Sequence, residues 1–209
     1  NMGAFVYNTY VGNDTFVSFS DATPKSNINP NIALPFAHYI GDPLLAGYAI
    51  RTATNHSFRK TPSKLFKQSG NYPTLSRELL FLYQYDQYSD IQPEEPLRQD
   101  VWIPNLEVFA ARQSEGSSTG LYVAAKGGNN NESHNHNDIG NFVVYNDAEP
   151  IIIDIGNGTY TAKTFSNRRY ELFNCRSAYH NVPLINGYEQ HEGKDFLATD
   201  VKYKNNDIQ

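Results

Sequence analysis

The chain has 209 residues, room for one domain or one domain with part of another, and a formal charge of −5 without any basic run, which makes nucleic acid an unsuitable partner. Its 39% hydrophobic and 13% aromatic content supports a packed core and excludes wholesale disorder. No stretch approaches the ~18 apolar residues that a membrane span needs, and the single cysteine, Cys175, excludes an internal disulfide.

Residues 1–33 read as irregular, rich in Asn, Asp, Ser and Pro, with one aromatic stretch at 16–19. The first residues show neither the basic start nor the apolar core of a signal peptide. Residues 34–53 read as a helix interrupted by a turn. Asp42 is placed to cap the second half, with Pro43 at its first position and Leu44, Leu45, Tyr48 and Ala49 at helical spacing. Residues 54–73 are basic and polar, a loop. A second helix starts after Ser76, with an apolar stripe of Leu79, Leu80, Leu82 and Tyr83. Residues 90–96, with two prolines and two glutamates, read as a linker.

After the linker the pattern changes. Residues 101–112, 120–126, 141–145 and 150–154 are short β-branched or aromatic runs separated by Gly, Asn and Ser, and 182–185, 195–198 and 200–204 continue them. Helices first and strands afterwards indicate an α+β protein, not alternating βαβ units.

The chemistry concentrates in Glu132-Ser-His134-Asn-His136-Asn-Asp138. In an extended chain His134 and His136 share one face, about 7 Å apart at Cα. Imidazoles with a carboxylate are a common zinc set. Asp154 closes the apolar run 150–153, where an unpaired carboxylate is costly, and His180 precedes another short run. By spacing alone, two histidines and an aspartate are equally surface groups or hydrogen-bonded core groups. If 141–145 and 150–154 form a hairpin about Asp147-Ala148, Asp154 faces Asn141 and His136 is about 15 Å further along. The chain has to bend, with Gly140 and Gly156 as the available places.

His134-Asn-His136-Asn-Asp138, the strand after it, Glu149-Pro-Ile-Ile-Ile-Asp154-Ile-Gly156, Gly158-Thr-Tyr160, Arg169-Tyr170 and Ala178-Tyr-His180-Asn181 closely resemble the heparinase II/III-like family of polysaccharide lyases. The resemblance runs from about residue 100 to about residue 190. Residues 1–98 resemble only loosely the end of the helical toroid that precedes the β-domain in that family. The fold it implies is the end of an (α/α) toroid with a linker in 1–98, then an antiparallel β-sandwich, incomplete, in 99–209, the whole being a fragment of a larger chain.

The activity it implies is β-elimination on a uronic-acid-containing polysaccharide such as a heparan-type glycosaminoglycan or alginate. That reaction neutralises the C6 carboxylate, removes the C5 proton and protonates the departing C4 oxygen. By the resemblance, His136, Asp154 and His180 bind a structural zinc ion, His134 points into the substrate cleft, and Tyr170 stands near the reacting sugar, which makes these last two the catalytic candidates. Arg168 and Arg169, with Arg176 and Lys163 nearby, are the densest basic patch, suited to a carboxylate or sulfate group or simply to a solvated face. Without the resemblance Tyr170 reads as an ordinary core or surface tyrosine.

The family's principal acid/base tyrosine, and the Asn or His that neutralises the uronate, belong to the toroid at positions that would fall before residue 1. This piece is therefore expected to hold half of an active site and to be inactive alone, in a parent protein that is periplasmic or secreted. Two competing readings stand beside the lyase. One is a non-catalytic carbohydrate-binding or structural β-module stabilised by its metal, which would need neither His134 nor Tyr170. The other is a metal-dependent hydrolase, which commonly has a further His directly after the Asp, where this chain has Ile139. Cys175 has no catalytic signature around it and reads as a small buried side chain. His38 and His56 read as structural or exposed.

Overall fold

A computed structural model describes residues 2–26, 28–55 and 75–204; almost all of the expected loop at 54–73, with His56, lies outside the described residues. The chain divides into two units, 1–10 with 26–96 and 11–25 with 97–209.

The first unit is helical: α1 Met2–Asn8, α2 Pro30–Ile40, α3 Pro43–Asn55 and α4 Leu75–Gln84. Helix α2 starts four residues earlier than the apolar spacing predicts. Asn29 caps it, its side chain accepting from the Asn31 amide at 2.9 Å, and Pro30 occupies the first turn, where its missing N–H costs nothing. Gly41 ends it in the left-handed region, φ 65. Asp42 then caps α3 by accepting from the Leu45 amide at 3.0 Å. Leu34, Ala37, Leu45, Ala49, Ile50 and Phe81 lie in the core of this unit. The expected stripe of α4 is not what buries. Leu79, Leu80, Leu82 and Tyr83 are exposed, and Phe81, between them, is the inward residue, stacked on Tyr88 at 6.0 Å. The N-terminal residues also differ from the irregular chain expected, since 2–8 form a helix.

Where the chain passes into the second unit it forms a tight hairpin, β1 Tyr10–Gly12 and β2 Thr15–Phe16, turned by Asn13 and Asp14, both at positive φ (50 and 55) as this turn requires. Its main sheet is an antiparallel meander, β3 Asp100–Ile103, β4 Val108–Arg112, β5 Leu121–Lys126, β7 Phe142–Asn146 and β8 Glu149–Ile152, in the order β3-β4-β5-β7-β8. The run 101–112 is thus two strands. Pro104 cannot continue a ladder, and Glu107 turns back at φ 48. A smaller pair joins β6 Asn129–Asn130 to β9 Gly193–Leu197. Residues 182–185 contain no strand, only an isolated bridge from Ile185 to Tyr188. Residues 200–204 contain none either: Asp200 turns at φ 55, and Tyr203 stacks on Trp102 at 5.6 Å.

Alternation along the strands sends Val101, Ala110, Tyr122, Ala124, Val143 and Tyr145 to one face, where they pack with Val11, Val17 and Ala148. Val11 and Val17 thereby hold the stretch that carries Asp21 on the sheet. Hairpin β7–β8 turns at Asp147 and Ala148, φ 53 and 61, with a bulge between Val144 and Tyr145.

Candidate metal centre

Four segments meet beside the open end of hairpin β7–β8. The first is Asp154, two residues beyond β8. As the hairpin register predicts, it faces Asn141, whose Nδ2 donates to Asp154 Oδ2 at 2.5 Å, while the Gly156 amide donates to Oδ1 at 2.8 Å. Gly156 sits at φ 72, so the chain turns there to close this contact.

The second segment is the loop 131–140, which carries both neighbouring histidines. It doubles back between His134, at φ 60, and Gly140, at φ 85, and that reversal removes the distance an extended chain would leave. Among the contacts that fix it, the Asn137 amide donates to the Cys175 carbonyl at 3.0 Å, the Asn141 amide to the Asp138 carbonyl at 3.0 Å, and buried Lys126 to Asp138 at 2.8 Å. His136 ends fully buried; the side chain of His134 is 56% exposed. A third segment is a staircase of single 3-10 turns, Arg169–Glu171, Phe173–Cys175 and Ser177–Tyr179, delivering His180 in extended backbone.

One ligand atom each of His136, Asp154 and His180 lie within 4.8 Å of one another, and all three residues are buried. Their hydrogen bonds show what is missing electrically. His180 Nε2 faces the Asn174 carbonyl at 3.1 Å, which can only accept, so that nitrogen carries a proton. His180 Nδ1 then meets the Asp154 carboxylate at 2.6 Å, a contact that needs positive charge, either a second ring proton or a metal ion. His136 Nε2 faces an Asp21 oxygen at 3.0 Å, while His136 Nδ1 is buried without a hydrogen-bond partner. An unsatisfied ring nitrogen beside a second imidazole and a carboxylate suits a divalent cation, and a two-nitrogen, one-oxygen set suits zinc.

The electrostatics agree. Burial first, and the nearby His180 second, hold His136 below the usual histidine range, the neutral form a ligand needs. Burial pushes the Asp154 carboxyl up. The His180 contact and the Gly156 and Asn141 donors outweigh it and hold the group below the ordinary carboxylate range.

The fourth segment was not singled out from the sequence. Asp21, in the stretch 11–25, binds His134 Nδ1 through Oδ2 and His136 Nε2 through Oδ1, each at 3.0 Å. Arg169 donates to Asp21 at 3.0 Å and to the carbonyls of Asn135, Thr164 and His134 at 3.2 Å. Its guanidinium is thus held inside the protein. Arg168 is exposed and pairs through two bonds of 2.9 Å with Glu171, which also takes Lys163 at 2.7 Å. Arg176 pairs with Glu189. Tyr170 is half-buried and donates to Asn135 Oδ1 at 2.8 Å. Exposed Phe165 meets His134 edge-on at 6.5 Å and Tyr160 at 5.3 Å, so an aromatic shelf borders the exposed histidine. Cys175 is buried. No sequence motif marks Asp21, which is 113 positions from His134; only folding pairs them.

Residues 105–206, which carry His134, His136, Asp154, Tyr170 and His180, match the heparinase II/III-like, C-terminal family. This segment is a heparinase II/III-like C-terminal domain. No curated protein matches the chain. The heparinase II/III-like assignment relates the chain to polysaccharide lyases and implies an acidic polysaccharide as substrate. The mixture of helices and antiparallel sheet is α+β as expected. Among the described residues no helix is long and apolar enough to cross a membrane.

Proposed function

We propose that this chain supplies the zinc-stabilised wall of a lyase site that cleaves uronate-containing polysaccharide by β-elimination. One juxtaposition carries the reading: a buried His136–Asp154–His180 cluster lies two residues from an exposed histidine bordered by aromatic rings. A module whose metal served only the fold would need the buried cluster but not an exposed imidazole held in one orientation.

Zinc bound by the three residues supplies positive charge and a crosslink between the loop 131–140, the end of β8 and the 3-10 staircase. The chain's own groups act on the sugar. With Asp21 accepting at Nδ1, His134 keeps an unprotonated Nε2, a base able to take the C5 proton. Burial pushes the Tyr170 hydroxyl above the usual phenol range, so at neutral pH it retains its proton and is suited to donate to the departing C4 oxygen. For the substrate carboxylate, Arg168 is the available guanidinium, by exchanging Glu171 for the sugar; Arg169 serves by holding Asp21 and the backbone of the histidine loop. The toroid-borne groups of the family complete the site in the parent protein.

The test is made on that parent protein. With a uronate polysaccharide it should release products bearing a C4–C5 double bond, followed by the ultraviolet absorbance of the conjugated alkene. His134→Ala and Tyr170→Phe should each lower the rate by about 10²-fold, the usual worth of a positioned proton-transfer group, while zinc content stays at the wild-type level. Saturated, hydrolytic products would reject the lyase, and rates unchanged in both variants would reject these two residues.

A further inference from the structure

We infer that Asp21 is a positioning residue that sets the tautomers of His134 and His136 together, directing one imidazole's lone pair to the metal and the other's to the substrate. Its two carboxylate oxygens are divided between the rings, Oδ2 on His134 Nδ1 and Oδ1 on His136 Nε2, both at 3.0 Å. Arg169, 3.0 Å away on Oδ1, keeps the group ionised as an ion pair, and the Asp21 side chain is only 8% exposed. An ionised carboxylate has no proton to give, so each ring nitrogen facing it is an N–H. His136 therefore carries its proton on Nε2 and leaves Nδ1 bare, the nitrogen that is buried without a partner. His134 carries its proton on Nδ1 and leaves Nε2 bare, on a side chain that is 56% exposed.

The opposite use of the two rings follows from one anion placed between them. A carboxylate behind a metal-bound imidazole raises its basicity and fixes its orientation, and loss of such a partner usually weakens metal binding by about 10- to 100-fold. The placement depends on tertiary structure. Val11 and Val17 anchor the segment on the sheet, Ser20 turns at φ 55 immediately before Asp21, and Arg169 ties the carboxylate to the carbonyls of His134 and Asn135. The catalytic consequence rests on the lyase reading above; the tautomers and the metal affinity do not.

The experiment uses the zinc-loaded 209-residue chain labelled with 15N-histidine, and long-range proton–nitrogen correlation to identify each ring's tautomer. Wild type should show His134 protonated at Nδ1 and His136 at Nε2; the reverse assignment for either ring overturns the inference without any variant. In Asp21→Asn the carboxamide can donate, so the His134 proton should move at least partly to Nε2. Zinc should pass to a chromophoric chelator with an affinity loss of about 10- to 100-fold. Asp21→Glu, which keeps the charge, should recover both readouts toward wild type. Unchanged tautomers and zinc affinity in Asp21→Asn would reduce Asp21 to a packing residue. Correct tautomers alongside a parent protein that makes no unsaturated sugar would reject the lyase while leaving the role of Asp21 intact.

Discussion

At the scale of single residues, the site separates a buried cluster that holds charge from an exposed imidazole that is free to act. His136, Asp154 and His180 are each unsatisfied or over-close without a cation, so each should be needed to retain one. Elemental analysis of protein freed of loosely bound metal should find about one zinc per chain, and His136→Ala, Asp154→Ala and His180→Ala should each lose it and melt at lower temperature. Zinc retained in all three would remove the assignment. His136 also sets a pH dependence in the metal-free protein. Its folded value lies below the ordinary 6.5 because of burial and then His180, so below 6.5 the unfolded chain takes up a proton that the native state does not. Stability should therefore fall as pH drops through the region under 6.5. Urea midpoints of chelator-treated protein on either side of that value should show the slope, and His136→Gln should flatten it.

At the scale of elements, the loop 131–140 is the part that folding has to force. His134 is at positive φ, and the loop is closed onto β5 by the Lys126–Asp138 pair, 4% and 0% exposed and 2.8 Å apart, with Glu132 at 3.7 Å. Removing one partner of such a pair leaves an uncompensated buried charge, a loss of roughly 3–5 kcal/mol. Lys126→Met should lower the urea midpoint accordingly, and adding Asp138→Leu should recover part of the loss, because both charges are then gone. Strict additivity of the two substitutions would show that the pair does not hold the loop. Strand boundaries explain which elements the sequence made readable. Runs 120–126, 141–145 and 150–154 became β5, β7 and β8 within a residue or two; β5 and β7 alternate in burial, whereas β8 comes from the continuous apolar run 150–153. Helix α4 was readable as a helix but not in its facing, because four of its five consecutive large residues 79–83 fall outside the core and Phe81 alone enters it.

At the scale of the whole molecule, the helical unit and the sheet unit have separate cores, and His136, Asp154, His180 and the Asp21–His134 contact all belong to the second. Chelation should accordingly raise amide exchange in 131–140, 154–156 and 174–181, while α2 and α3 keep their protection, as mass spectrometry of the exchanged protein would show. Equal loss of protection in α2 and α3 would mean that the metal supports both units. The net charge of −5 acts on the same scale. A polyanionic substrate meets no general attraction, and Lys163, Arg168 and Arg176 near the site are paired with Glu171 and Glu189, so capture has to come from local exchange of ion-pair partners.

Readable in the chain alone were the order of helices before strands, the hairpin about Asp147 and Ala148 with its Asp154–Asn141 contact, though not the one-residue shift at the Val144–Tyr145 bulge, and the short motifs that gather His136, Asp154 and His180 as candidates. Those are local facts, written in alternation, turn residues and fixed separations. Tertiary structure decided the rest. It closed the gap between His136 and Asp154 through left-handed turns at His134, Gly140 and Gly156. It turned Arg169 inward from a patch that looked suited to substrate, and it brought Asp21 from a stretch that read as irregular to a place between two histidines more than a hundred residues away. Such a contact leaves no period or spacing in the chain, because it depends on where residues 11–25 cross the sheet and not on anything beside Asp21 in sequence.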